Sequence, residues 1–502
     1  MRRILKRGTV VLAVCALTVL AIRAWDSQRG PPLELWHTFV PDELRAKKID
    51  AIEWDAYLEA EDRVFASVRT EVTDRLDAGD RVRFNRYFAD SAVYPPHLAH
   101  DWNRSYVLEP DGDPVGAVVL LHGLTDSPYS TRHVAQRYRA AGYVAVAIRL
   151  PAHGTVPAAL TDVEWEDWRA ATRLAVREAK RRTGPALPLH LVGYSNGGAL
   201  ALQYALDAVD DAQLTRPERV VLISPMIGIT RFARFAGIAG WPAIFPAFAK
   251  AAWLSVLPEF NPFKYNSFPI NGARQTHRLT MVLQEEIARL ERAHRLGLLP
   301  PILTFQSVVD FTVSTRAIAD ALYARLPANG SELVLFDINR ASKFEELFSA
   351  AAETKLERLL PAPPRPFRTT IVTNANAASS DVVERVTEAG TASERTRPLG
   401  LQYPAEVYSL SHVALPFPVS DGLYGLQPDP AERFGINLGN LTARGELGAL
   451  VVNPNASLRL LSNPFFSYML ERITDGIRAG NTSAFAAVAP AAREASLPAA
   501  AP

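Results

Sequence analysis

The stretch LHLVGYSNGGALALQYAL, residues 189–206, passes from an apolar segment through Gly193, Ser195 and Gly197 into a run of alanine and leucine. The lead is strand-like and the small-residue run that follows is helix-like. Glycines on either side of a serine leave space for a sharp turn, which would hold Ser195 exposed at the carboxyl end of a strand in a strained backbone. Gly198 and Ala199 would let the next helix pack close. A plain glycine turn carrying a solvated serine is the alternative, and the surrounding chain has to separate the two.

From residue 115 onward, short apolar runs alternate with helical stretches. VGAVVLLH, YVAVAIRL, LHLVGY, RVVLISP and PILTFQS read as strands, with TRHVAQRYRAAG and DWRAATRLAVREAKRR as helices between them. This texture predicts an α/β fold, a mostly parallel sheet with helices on both faces. Two blocks interrupt it, residues 226–299 and residues 341–405. The second contains PAPPRP, a strand-like FRTTIVTN and a helix-like SDVVERVTEA. Residues 42–80 carry Ile49, Ile52, Leu58, Val64, Phe65 and Val68 at helical spacing among charges, and predict amphipathic helices. The organisation that follows is a leader at 1–25, a helical N-terminal extension at 26–100, a core at 101–225 and 300–340, the insertions at 226–299 and 341–405, a core end with a C-terminal extension at 406–480, and a disordered tail at 481–502.

The chain has 502 residues, 48% hydrophobic and 21% charged, as a globular protein does. With 54 basic against 53 acidic residues there is no overall field to attract nucleic acid. The only cysteine, Cys15, lies in the leader, so disulfides and cysteine-ligated metals have no place in the body. The leader itself sets a basic MRRILKR before the apolar TVVLAVCALTVLAI, residues 9–22. This predicts an uncleaved single-pass anchor in the inner membrane with the body on the exported side; a removed signal peptide and a secreted body is the alternative.

A serine hydroxyl needs a base, and the base needs an acid to fix its tautomer. In strand–turn–helix hydrolases the acid and then the histidine follow the serine. Of ten histidines, His277, His294 and His412 follow Ser195 at a useful distance. His277 and His294 fall in the first insertion, ahead of any acid at a strand end, whereas His412 follows the strand-like AEVYSL. Asp310, just past the apolar PILTFQS, is the favoured acid, and Asp337 after ELVLF is its competitor. Backbone N–H groups of Leu124, in the turn after AVVLLHG, and of Asn196 are placed to receive an oxyanion. His122 reads as a residue that shapes this turn.

LLHGLTDSP, AIRLPAHGT, LVGYSNGGALALQYAL, ILTFQSVVDFTV and SLSHVALP together resemble the motif series of the α/β-hydrolase superfamily, in particular its monoacylglycerol-lipase and lysophospholipase-like branch. The resemblance covers roughly residues 105–340 and 400–415. It implies a serine hydrolase with a covalent acyl-enzyme, no metal and no organic cofactor, a triad of Ser195, Asp310 and His412, and a cap formed by residues 226–299. The pattern is departed from in one respect: His412 follows Asp310 by 102 positions, because the second insertion intervenes.

Within the cap, GIAGWPAIFPAFAKAAWLSVL carries Lys250 as its single charge. Pro242, Pro246 and Lys250 argue against a membrane span, and the expectation is a cap lining an acyl pocket with Phe245, Phe248 and Trp253; a buried helical subdomain is the alternative. The expected activity is hydrolysis of carboxylic esters with apolar acyl groups, on a small lipid-like substrate. A thioesterase, acyltransferase or peptidase would keep the same triad, and a membrane-tethered binding module would keep the fold without the chemistry.

Overall fold

In this computed structural model the described residues are 30–228, 246–343, 356–439 and 462–488, with single positions in the first 25. Runs of Val, Ile, Leu and Ala become strands β1 (Tyr106–Leu108), β2 (Gly116–Leu121), β3 (Tyr143–Ile148), β4 (Leu189–Tyr194), β5 (Arg219–Ile223), β6 (Trp253–Ser255), β7 (Phe268–Pro269), β8 (Ile302–Ser307), β9 (Glu332–Phe336), β10 (Arg368–Asn374), β11 (Asp381–Thr387) and β12 (Glu394–Gln402). Ten of them form one sheet in the order β1-β3-β2-β4-β5-β8-β9-β10-β11-β12, and β6 and β7 pair separately. From β3 to β10 every pairing is parallel, while β1, β11 and β12 join antiparallel. The sheet and its helical layers make the α/β-hydrolase architecture.

The longer helices are α1 (Trp54–Glu71), α2 (Arg132–Ala140), α3 (Trp165–Thr183), α4 (Asn196–Asp210), α5 (Ile270–Arg292) and α6 (Phe466–Val488). Side chains alternate across the sheet with period two. Val119 and Leu121 of β2 join one apolar core with residues of α3, α4, α5 and the N-terminal extension. Val118 and Leu120 point the other way, into a second core with α2 and α6. Because both faces are covered, β2, β3, β4 and β8 are buried along their whole length. α5 buries Leu279, Leu283, Ile287 and Leu290 at helical spacing, a stripe that seats it on the core.

Chain order fixes where a site can form. β2 leads to β3 on one side, and the chain then crosses to β4 on the other, so the side on which strands are added switches at β2 and β4 although the two run parallel. Crevices at the carboxyl ends of strands open at such a switch. Leu121 of β2 stands beside Gly193 of β4, which puts the Leu124 turn and the serine turn next to each other.

The N-terminal extension is bound to this same edge. Arg149, just past β3, forms buried ion pairs with Glu43 and Glu61, and Tyr57 of α1 donates to the Arg149 carbonyl at 2.6 Å. Further back, His37 packs edge-on against Trp253 with ring centroids 5.0 Å apart, and Lys250 Nζ donates to the Gly30 carbonyl at 3.4 Å. The chain after the leader thus lies against the cap. No helix among the described residues is long and apolar enough to cross a membrane.

Three expectations are corrected. SDVVERVTEA is not helical: its Asp381–Thr387 part is β11, whose Val382, Val383 and Val386 are buried between β10 and β12. β-Branched residues favour the pleated surface over a helix once a neighbouring strand is there to pair with. Residues 341–405 accordingly continue the main sheet rather than interrupt it, up to the limits of what is described. AEVYSL is a turn and not a strand; Asn339 holds it by giving its Nδ2 protons to the carbonyls of Pro404 and Val407 and its N–H to that of Tyr408. The tail expected to be disordered from 481 is helical as far as Val488, the end of α6. Residues 489–502, and Phe245 of the cap, lie outside the described residues.

Candidate active site

The turn between β4 and α4 is sterically dictated. Ser195 has φ 55 and ψ −116, a left-handed backbone for a residue with a side chain. A Cβ on Gly193 would overlap the Gly197 carbonyl, and one on Gly197 would overlap that of Leu121. The strained turn is held by its neighbours: Ser195 N donates to the Ile223 carbonyl at 2.9 Å, and Met226 N donates to the Ser195 carbonyl at 3.0 Å.

Ser195, His412 and Asp310 meet. Ser195 Oγ is 2.9 Å from His412 Nε2, and His412 Nδ1 is 3.1 Å from Asp310 Oδ2. A carboxylate only accepts, so the Nδ1 proton belongs to His412 and the Nε2 lone pair faces the serine hydroxyl. All three residues are buried. Burial alone would raise the Asp310 pKa, but His412 and the N–H groups of Val313 and Thr312 outweigh it and hold the carboxyl below its ordinary range. Those N–H groups donate to Asp310 Oδ1 at 2.9 and 2.7 Å, and Gln306 Nε2 donates to Oδ2 at 3.0 Å.

Asp337, the competing acid, lies elsewhere. It ends β9, where its Oδ2 accepts from Thr373 Oγ1 at 3.0 Å and pairs with Arg340. His277 sits within α5 and His294 beyond it.

The turn after β2 closes on the serine. A Cβ on Gly123 would stand 3.2 Å from Ser195 Cβ. Among the described residues, neither the Leu124 N–H nor the Asn196 N–H is taken by an acceptor. His122 shapes the turn: Leu150 N donates to its Nε2 at 3.0 Å, which leaves the Nδ1 proton to donate to the Gly123 carbonyl at 2.9 Å. Burial, with His153 nearby, pushes its pKa far down, so this tautomer stays neutral. Tyr265 N donates to the Thr125 carbonyl at 2.8 Å, and Gly272 at the start of α5 faces Leu124 and Leu160. The second half of the cap thus lies over the Leu124 turn. Trp253 is buried against His37, and Phe248 is half-buried.

Sequence reasoning passed over several residues here. Tyr194 is one of them: its hydroxyl donates to the His412 carbonyl at 3.4 Å and its ring lies 5.4 Å from the imidazole. Its place inside the Gly-x-Ser-x-Gly run was the available signal. Asp126 is another, a buried carboxyl two residues past Leu124 whose pKa burial pushes up to about 6, with Lys264 and His412 opposing. Gln306, on β8 four residues before Asp310, carried no signal at all.

A sequence profile described as serine aminopeptidase, S33 matches residues 112–338. A thermostable monoacylglycerol lipase of Bacillus sp. (strain H-257) is 27% identical over 225 residues, covering 45% of this chain and 81% of that protein. A monoacylglycerol lipase of Mycolicibacterium smegmatis is 35% identical over 103 residues, 20% of this chain and 35% of that one. Among solved structures, a monoacylglycerol lipase of Paleococcus ferrophilus aligns with 51% of this chain and 98% of its own at 18% identity, with a TM-score of 0.35. The strand order and the turn at Ser195 give the chain the α/β-hydrolase fold, and in sequence it is similar to the monoacylglycerol lipases.

Proposed function

We propose that the protein hydrolyses carboxylic esters with apolar acyl groups, through Ser195, His412 and Asp310. The observation that carries this reading is the unbroken hydrogen-bonded series from Ser195 Oγ through His412 to Asp310, at 2.9 and 3.1 Å, on a serine whose backbone is left-handed. His412 Nε2 takes the hydroxyl proton as Ser195 Oγ attacks the ester carbonyl. The negative oxygen of the tetrahedral intermediate is received by the N–H groups of Leu124 and Asn196. His412 then returns the proton to the leaving alcohol, and Asp310 stabilises the imidazolium in between. Water, activated by the same imidazole, releases the acid from the acyl-serine. The apolar composition of the cap sequence, together with the seating of Tyr265 and Gly272 on the Leu124 turn, supports an acyl group on that side.

The N-terminal leader tethers the enzyme to the inner membrane with its body on the exported side. Support comes from the basic and apolar order of the leader and from the contact of Gly30 with Lys250, which brings the segment after it to the cap.

A peptidase is the second reading, raised by the description of the matching profile. An aminopeptidase has to receive its substrate's ammonium on an acidic group, and the buried acid near His412, Asp126, already has the cation of Lys264 near it, opposing the rise in pKa that burial causes. Matched ester, thioester and aminoacyl-peptide substrates, together with an alcohol acceptor for acyl transfer, test the assignment. Ester hydrolysis is expected to dominate, and Ser195→Ala to lower it by at least about 10³-fold and abolish fluorophosphonate labelling. An unlabelled wild-type protein, or a Ser195→Ala variant that keeps its rate, would refute it.

A further inference from the structure

What holds His412 in place is not the segment that usually needs explaining, the sheet, since the histidine comes from a turn followed by more irregular chain. Three sets of contacts fix that turn. Asn339 at the end of β9 holds its beginning, and Tyr194 holds the His412 carbonyl. The third lies after it. Ala414 N and Phe417 N close two turns onto Ser411 and Ala414, and the chain then delivers Asp421 to the start of α2.

There Asp421, fully buried, collects five partners. Tyr129 Oη donates to Oδ1 at 2.8 Å, as do Leu423 N and Tyr424 N at 2.9 and 2.7 Å. His133 Nε2 lies 3.0 Å from Oδ2, and Arg132 forms a fully buried ion pair with Oδ2 at 2.8 Å. Burial opposes the charge of Asp421, but Arg132 and His133 overcome it and keep the carboxyl far below its ordinary range. His133, Asp421 and Glu432 have the spacing of a metal site. The Arg132 guanidinium already bridges both carboxylates, at 2.8 Å to each, and fills the role a cation would.

Tyr129, Arg132 and His133 all follow on the Leu124 turn, so Asp421 joins the histidine's loop to the segment that bears one of the two proposed oxyanion donors, Leu124. We infer that Asp421 is a positioning residue, which sets His412 against the Leu124 turn through Tyr129, Arg132 and His133. This rests on the reading of Ser195, His412 and Asp310 as the triad. It also gives residues 413–438, outside the matched profile, a part in the reaction. A misplacement of about 1 Å costs on the order of 10²-fold in rate when reacting groups must be aligned.

Asp421→Asn keeps the shape, removes the charge facing Arg132 and puts an N–H₂ group where donors converge. In the full-length protein it is expected to lower kcat about 10- to 100-fold with KM changed less than about threefold, and to slow fluorophosphonate labelling by the same factor. His412→Ala supplies the distinguishing background. If Asp421 acts by placing the imidazole, adding Asp421→Asn to His412→Ala changes the residual rate less than about threefold. A loss that multiplies undiminished in that background, or a single variant with wild-type kcat, overturns the inference. Should Asp421→Asn fail to fold, Tyr129→Phe removes one of the five contacts and keeps the ring; it is expected to lower kcat about 3- to 10-fold with the same non-additivity, and wild-type kcat there overturns the inference equally. Retained activity in His412→Ala alone would instead refute the triad.

Discussion

The carboxyl of Asp126 lies within the field of His412 yet hydrogen-bonds to neither the imidazole nor the serine. It accepts from Ser127 N at 2.9 Å and is buried, and burial lifts its pKa from the ordinary 3.8 to about 6. A group whose folded pKa is raised favours folding in its protonated form. That contribution is complete below about pH 4 and is lost as pH rises through about 6. Asp126→Asn never ionises, so it is expected to be more stable than wild type at pH 7.5 by about 1–3 kcal/mol and equal to it near pH 4. Urea unfolding at the two pH values measures this, and a difference independent of pH would contradict it. Ser195, Asp310 and His412 could be found in the sequence because each stands at a strand or turn boundary in the chain order that the chemistry needs, with Asp337 as the one rival acid weighed. Asp126, Gln306 and Asp421 could not, since their roles depend on burial and on partners remote in the chain.

Elements were legible where both faces of a strand are covered. β2, β3, β4, β5, β8 and β9 each follow an apolar run bounded by turn residues, and each run reads directly. β11 did not, because Glu384 and Arg385 break the apolar pattern of Asp381–Thr387 and mimic a helical charge face. In the sheet those residues pair across to Arg397 and Glu394 of β12. Cross-strand partners of this kind are invisible until the register is known. Val372 of β10 measures how far the added strands belong to the main core: it is fully buried and registers with Phe336 of β9 and Glu384 of β11. Val372→Ala is expected to lower the unfolding free energy by about 2–3 kcal/mol while kcat stays within about twofold. An unchanged midpoint would mean that β10 folds apart from the rest.

At the scale of the whole molecule, the N-terminal extension is the largest part that the sequence left without an assignment. Its fastening to Arg149, and that of Arg149 to the His153 carbonyl at 3.0 Å, connects it to the carboxyl edge of the sheet, where the His153 ring meets His122 edge-on at 5.0 Å. Removing the extension would therefore strip support from the Leu124 turn. Removing residues 1–29 alone would not. Such a protein is expected to hydrolyse a water-soluble short-chain ester within about threefold of the full-length rate and to stop floating with phospholipid vesicles, as a chain with one apolar leader does when it loses it. Full-length protein that stays behind in the flotation gradient would contradict the tether.

The brace on the loop of His412 comes late in the chain. Asn463 donates its N–H to the Phe417 carbonyl at 2.7 Å and its Nδ2 to that of Leu415 at 3.3 Å, so the loop of His412 is braced by residues at the very start of α6. A ribosome therefore completes the serine turn long before it makes the segment that steadies the base. Throughout that interval the nascent chain holds an elbow with nothing to activate it. The order of synthesis therefore delays competence until the segment that leads into α6 has docked.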